Sequence, residues 1–288
     1  MTDQRSTTRA GVRTQPAQAA LAARLGLAAG DQVVAVWPHP DDEAWAAAWT
    51  LRGLADAGVR VRLVFATDGE AAAGADADGA TSAGLRALRR AEAEAAATLL
   101  GCEQVHFLDR GDGRLAEDAG LKAALAEVLA EAADCGGVVA AFSFGPDGGY
   151  PHRDHVALTA ALAAAVRAGG PHLWWQTCFA PGIFAPVLRA LGRRDARGRA
   201  PPLLDADWPP PRLGAAAAGG DVCVHGEGDS ARAFKTQVIA CHASQLPGGD
   251  PLRLLGPGVV EAALAHGERW RRATTATASR APNGEAGA

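Results

Sequence analysis

Apolar positions in this chain fall into two kinds of run, and the two kinds alternate. Gln32–Trp37, Arg60–Thr67, Gln104–Leu108 and Val138–Phe144 are short and rich in Val, Ala and aromatic residues, which predicts β-strands buried on both faces. After each comes a longer Ala- and Leu-rich stretch of helical pattern, running to about Ala57, from about Ser82 to Leu100, from roughly Ala119 to Ala133, and from roughly His155 to Ala168. Strand and helix alternating in this way predict an α/β fold, a mostly parallel sheet with helices on both faces. His172–Phe179 predicts a fifth strand. Pro201-Pro202, Pro209-Pro210-Pro211 and Gly219-Gly220 then break the pattern, so Arg193 to Asp221 is expected to be an irregular excursion over the core. Ser230 to Ser244 is helical in pattern and returns the chain.

This organisation gives one domain over residues 23–272, with a core at 31–180, an insertion at about 193–221 and returning helices at 230–272. Residues 1–22 are expected to be a flexible segment, since Thr2 to Gln18 is Arg- and Thr-bearing and lacks the apolar core of a secretory signal, and 273–288 a disordered tail, being small, polar and poor in bulky apolar residues. A length of 288 residues with 48% hydrophobic composition is ample for one large core. The net charge of -4 argues against nucleic acid or an anionic membrane surface as partner and points to a small molecule, while leaving homo-oligomer formation open. No stretch approaches the roughly 18 consecutive apolar residues of a membrane span, so the expectation is a soluble, cytoplasmic protein. Cys102, Cys135, Cys178, Cys223 and Cys241 are scattered and odd in number, which indicates buried apolar residues rather than a thiolate metal cluster or a disulfide framework.

Open parallel sheets bind ligands just beyond the carboxyl ends of their strands. The polar clusters of this chain fall there: His39-Pro40-Asp41-Asp42-Glu43 after the first strand, Thr67-Asp68-Gly69-Glu70 after the second, Asp109 to Arg114 after the third, and Tyr150 to His155 after the fourth. His39 and Asp42, three apart at a helix start, can face one ion, and His155 can supply a third ligand. Two nitrogens and one oxygen without a thiolate point first to a catalytic zinc, and also suit Fe(II) or Co(II). Two adjacent aspartates at a helix start leave one beyond the needs of capping, and Asp41 is placed to act as a base. His152 suits a general acid or oxyanion stabiliser, Tyr150 a second oxyanion donor, and Asp154 a carboxylate that orients an imidazole. Trp174, Trp175 and Trp208 are candidates for a wall facing the substrate, or else packing anchors.

These motifs together resemble the LmbE/PIG-L family of zinc-dependent N-deacetylases, over roughly Val33 to Leu158. Arg89-Arg90-Ala91-Glu92, Asp112-Gly113-Arg114-Leu115 and the late Lys235 with His242-Ala243-Ser244-Gln245 are similar to further family segments. Gly148-Gly149-Tyr150-Pro151-His152-Arg153-Asp154-His155 is similar to the form found in the deacetylase and amidase of mycothiol metabolism. The resemblance implies a Rossmann-like sheet, zinc on His39, Asp42 and His155, Asp41 as general base, and His152 and Tyr150 on the tetrahedral intermediate. It also implies that Arg89 and Asp112 contact the sugar of an N-acetylglucosamine-type glycoconjugate, from which the acetyl group is removed. Ala44-Trp45-Ala46-Ala47-Ala48 stands where the family has a Gly-Gly stretch, and Arg153 where it has Pro. Three rivals are an amidase on thiol- or antibiotic-type conjugates, a non-catalytic sugar or metal binder whose pocket Trp45 blocks, and a metal phosphoesterase, which two His ligands disfavour.

Overall fold

A computed structural model of the chain describes residues 16–71, 82–149, 152–177, 221–246, 261, 264–265 and 267–273. The elements run α1 (Pro16–Arg24), β1 (Gln32–Trp37), α2 (Asp42–Ala46), α3 (Ala48–Asp56), β2 (Arg60–Thr67), α4 (Ser82–Leu100), β3 (Gln104–Arg110), α5 (Leu121–Asp134), β4 (Val139–Phe144), α6 (Arg153–Arg167), β5 (Leu173–Thr177), β6 (Val222–Val224), α7 (Gly228–Cys241) and β7 (Glu268–Arg272). Seven strands form one sheet in the order β3-β2-β1-β4-β5-β7-β6. The first five are parallel, and β7 runs antiparallel to both β5 and β6.

Successive side chains of β1 enter opposite cores, as period-two geometry requires. Val33, Ala35 and Trp37 pack with Leu51, Leu54, Leu100 and Val238. Val34 and Val36 pack with Leu125, Leu129, Leu158 and Leu162 on the other face. Each large apolar side chain buried this completely contributes about 1.5–3 kcal/mol. The α/β sheet covered on both faces is therefore the one the pattern predicts.

Several expectations are corrected. The chain is already helical at Pro16, inside the segment expected to be flexible, because Ala22 and Leu25 are buried in the core. The single helix expected to run to Ala57 is two helices, broken at Ala47 (φ -144°, ψ 3°). The break has a cause far along the chain. The Glu268 carboxylate of β7 accepts hydrogen bonds from Trp49 N (3.0 Å), Thr50 N (2.8 Å) and Thr50 Oγ1 (2.7 Å), so α3 starts afresh with its first N–H groups satisfied. Lys235 of α7 donates to Glu268 at 2.7 Å and stands 4.6 Å over the Trp49 ring, and Trp270 Nε1 donates to Thr50 Oγ1 at 2.8 Å.

Residues 268–272, expected within returning helices, form a strand between β5 and β6. Trp174 and Trp175 are core residues rather than a substrate wall: their indole N–H groups donate to Ser143 Oγ and to the Leu25 carbonyl. Trp208, and residues 193–220 of the expected excursion, lie outside the described residues, as does Cys178. Cys135 is exposed, and Cys102, Cys223 and Cys241 are partly so; none of these four is in a disulfide. No helix among the described residues is long and apolar enough to cross a membrane.

Candidate active site

Strand order reverses between β1 and β4, and a ligand crevice is expected outside the carboxyl ends of the strands at such a point. Three further contacts shape the loops there. Thr67, ending β2, donates from both N and Oγ1 to the Pro38 carbonyl at 3.0 Å, holding the loop after β1. The pairing of β2 with β3 shifts register between Phe65 and Thr67, and Asp109 takes a left-handed φ of 55°, so β3 bulges and turns its loop toward β1. The loops after β2 and β3 are then laced together: Asp112 N donates to Glu70 Oε1 (3.2 Å) and Ala71 N to Asp112 Oδ2 (2.8 Å).

His39, Asp42 and His155 meet in this crevice. His155 lies at the start of α6, stacked on Phe144, and its Nδ1 must donate, since its partner at 2.9 Å is the Gly148 carbonyl. That leaves the Nε2 lone pair aimed at Asp42 Oδ1, 3.4 Å away. Burial, with His39 and His152 adding to it, pushes the His155 pKa down to about 3 against the pull of Asp42. Burial opposes the Asp42 charge too, but His155 and His39 hold its carboxyl below the usual carboxylate range. His155 Nε2 and the Asp42 carboxylate thus border one space, as a nitrogen and an oxygen that could both bind one cation.

His39 completes the set. Its Nε2 faces Asp112 Oδ1 (3.1 Å) and Asp154 Oδ2 (3.4 Å), and its Nδ1 lies 3.5 Å from Asp42 Oδ2. Carboxylates that take one N–H of an imidazole fix the other nitrogen as the ligand. Burial works against a charge on His39, but Asp112, Asp154 and Asp42 outweigh it and raise its pKa; a metal held by this imidazole would take the place of the proton that the acidic surround attracts. The ring centroids of His39, His152 and His155 lie 4.8–5.3 Å apart, so a third imidazole borders the same space. The residues present therefore fit a divalent ion with nitrogen and oxygen ligands.

Asp41 carries backbone strain, with φ 120° and ψ -28°. For a non-glycine residue such a conformation costs about 1–3 kcal/mol. Neither aspartate caps α2: Asp41 makes no side-chain cap bond, and Asp42 Oδ2 accepts from its own loop at His39 N (3.0 Å). Burial, with Asp42 beside it, raises the Asp41 pKa to about 6 against the opposing charges of Arg89, His242 and His39.

His152 is the N-cap of α6; its Nδ1 accepts from Asp154 N at 3.2 Å, which in the neutral ring puts the proton on Nε2. Burial, helped by His39, lowers its pKa. Asp154 accepts from Gly113 N (2.6 Å) and Leu115 N (3.1 Å) and faces His39 Nε2 at 3.4 Å. Tyr150 lies outside the described residues.

Arg89 and Asp112, which the family resemblance puts against sugar, are engaged within the protein. Arg89 donates to the carbonyls of Gly69 (2.7 Å) and Pro40 (2.5 Å) and stands 3.7 Å from Asp41. Asp112 has both oxygens occupied by His39 and Ala71; burial works to raise its pKa, but these partners and Arg89 pull it down to about 2. Trp45 packs against the core, and Arg153 pairs with Glu117.

The sequence left Glu43, His242 and Glu92 without a role. Glu43 accepts from Asp41 N at 3.0 Å and contacts His242 Nε2 at 2.6 Å, while Glu92 accepts from Ser244 N and Oγ at 2.7 and 2.6 Å. The only signal was the recurrence of His242-Ala243-Ser244-Gln245 in the family, which marks the segment without saying what it touches.

The sheet order and the donors gathered at its switch point define an α/β protein with a candidate mononuclear metal centre. Residues 34–166, somewhat less than half of the chain, match the model of a protein family described as PIG-L, GlcNAc-PI de-N-acetylase. It is 39% identical over 85 residues to a diacetylchitobiose deacetylase of Thermococcus kodakarensis, a stretch covering 29% of this chain and 31% of that protein. The chain thus matches about a third of that relative's length. Among solved structures, N,N'-diacetylchitobiose deacetylase from Pyrococcus horikoshii superposes with a TM-score of 0.52 at 20% identity, covering 87% of this chain and 88% of that one. A 4-carboxy-2-hydroxymuconate hydratase from Pseudomonas putida superposes with a TM-score of 0.50 at 20% identity, covering 75% and 80%. The fold is thus common to proteins named for different reactions, and the reaction has to be argued from the site.

Proposed function

We propose that this protein is a zinc-dependent hydrolase that removes the N-acetyl group from an N-acetylglucosamine-type glycoside or glycoconjugate. The observation that carries the proposal is the convergence of His155 Nε2, Asp42 and His39 beside an aspartate held in a strained conformation. The match of residues 34–166 to a de-N-acetylase family model and the likeness over 85 residues to a protein named for diacetylchitobiose support the substrate class. Zinc is favoured by the nitrogen-rich, thiolate-free donor set, which Fe(II) and Co(II) also suit. The chemistry such an ion supplies when bound is Lewis acidity, polarising an amide carbonyl and making water acidic near neutral pH.

The protein's own groups do the rest. Asp41 accepts the proton of the attacking water, for which a pKa of about 6 suits it near neutral pH. His152, with its Nδ1 already accepting from Asp154 N, offers its Nε2–H to the oxygen of the tetrahedral carbon, and Tyr150 is proposed as a second donor. The proton held by Asp41 then passes to the departing amine, which leaves acetate and the free amino sugar. Asp154 and Asp112 orient His39, and Arg89 braces the Pro40 carbonyl beside Asp41, so the latter two are given positioning roles.

The test is amine release from N-acetylglucosamine and a panel of its glycosides, using protein stripped of metal and reloaded with zinc. Zinc-dependent release is expected, and none despite stoichiometric zinc binding would remove the proposal. Asp41→Asn should keep zinc and lose about 100- to 10,000-fold in turnover. Full turnover in that variant would take Asp41 out of the mechanism.

A further inference from the structure

A segment 199 residues along the chain from the catalytic loop is wired to its backbone. His242, at the carboxyl end of α7, is 1% exposed, and its Nε2 lies 2.6 Å from Glu43 Oε1. The other Glu43 oxygen, Oε2, accepts from the backbone N–H of Asp41 at 3.0 Å. Glu43 itself is fully buried, so its carboxylate has no water to turn toward. Asp41 is one of two non-glycine residues with a positive φ among those described, and Glu43 holds its amide in that conformation.

Anchoring α7 does not need this pair. Lys235 ties the helix to Glu268, Ser244 ties the turn after it to Glu92 on α4, and Val238 and Ile239 are buried between them. His242 Nδ1, by contrast, is buried with no hydrogen-bond partner among the described residues, an expense that packing alone does not explain.

We infer that His242 is a positioning residue for the deacetylation proposed above: through Glu43 it locks the Asp41 backbone in its strained conformation and so aims the carboxylate. With the lock in place, Glu43 cannot rotate away from the Asp41 amide, because its second oxygen is held. Without it, Asp41 relaxes toward an ordinary helix-start conformation and its carboxylate swings from the attacking water. The inference rests on Asp41 being the base, but the geometry of the lock can be read without activity.

Two readouts test it. In amide hydrogen exchange followed by NMR, His242→Leu should cut the protection of the Asp41 N–H by at least about tenfold and leave Val34 and Val36 of β1 unchanged. In zinc-loaded protein, His242→Leu should lower kcat by about 30-fold or more with KM and zinc stoichiometry retained, and His242→Gln, which keeps a donor toward Glu43, should stay within about fivefold of the parent. In an Asp41→Asn background the same His242→Leu change should cost less than about threefold, since a base already lost cannot be misaimed. Unchanged Asp41 protection, or an equal loss of rate in both backgrounds, overturns the inference. If the parent releases no amine from any substrate, the functional proposal fails by itself and the exchange measurement still decides the lock. Should His242→Leu not fold, Glu43→Gln, which keeps the shape and weakens the pair, is judged by the same exchange criterion.

Discussion

Two buried pairs of histidine and carboxylate flank α2, and they are built in opposite ways. On the inner side His155 faces Asp42 at 3.4 Å, with its one neutral N–H already committed to the Gly148 carbonyl. On the outer side His242 meets Glu43 at 2.6 Å, donor against acceptor. Burial of the four side chains is nearly the same, between 0% and 7% exposed. Burial therefore does not separate them; their surroundings do. The outer pair belongs with Lys235–Glu268 and Ser244–Glu92 in a polar buttress. The inner pair shares its space with the rings of His39 and His152, a gathering of nitrogen and oxygen donors of the kind that can hold a divalent ion.

The comparison is broken most severely at the inner pair. His155→Ala removes one of the three proposed ligands and should lower zinc affinity by about 1,000-fold, measured by competition with a chelating dye. Asp42→Asn should cost zinc affinity too, yet its metal-free melting temperature should not fall, because the amide can donate to His155 Nε2 where the carboxylate could not. A clear drop in that temperature would mean that the carboxylate itself holds the inner pair together, and that the contrast with the outer pair is illusory.

At the buttress the balance reverses. Lys235→Met leaves Glu268 charged, buried and without its cation, and should destabilise the fold by about 3–5 kcal/mol in urea unfolding. Zinc stoichiometry of the folded fraction should be retained, since Lys235 lies behind α3 rather than in the crevice. Loss of zinc without loss of stability would place Lys235 in the site and dissolve the division between the two regions.

What the sequence discloses follows the same division. The strands were legible because β1 and β4 are continuous apolar runs, which only a sheet covered on both faces accommodates. The site was legible because a parallel sheet brings strand ends together, so His39 and His155 could be joined without knowing any distance. The buttress was not. Nothing local at Thr50 announces that a glutamate some 218 residues later caps its helix, and so the break at Ala47 was invisible. β6 and β7 were missed because they are short and carry Cys, Glu and Arg among their residues. Arg89 and Asp112 show the limit of a resemblance: it marks that residues matter, while their partners here, the Pro40 carbonyl and His39, come only from geometry.

The smallest expected effect belongs to Arg153, which adjoins the site in sequence but faces away from its chemistry. It opens α6 between His152 and Asp154, and its guanidinium pairs with Glu117, both side chains more than half exposed at 62% and 57%. An exposed pair of this kind is worth about 0–1 kcal/mol, and a cation in the first turn of a helix opposes the macrodipole by a similar amount. The two nearly cancel, so Arg153→Ala should change unfolding stability by less than about 0.5 kcal/mol. Zinc affinity should hold as well, because His155 is fixed by Gly148 and Phe144 rather than by its helix partner. The informative readout is KM across glycosides with neutral and anionic aglycones. A rise confined to the anionic ones would show that Arg153 leaves Glu117 for the substrate, making this exposed cation the selective element that the buried site lacks; equal KM values would leave it a solvated helix start.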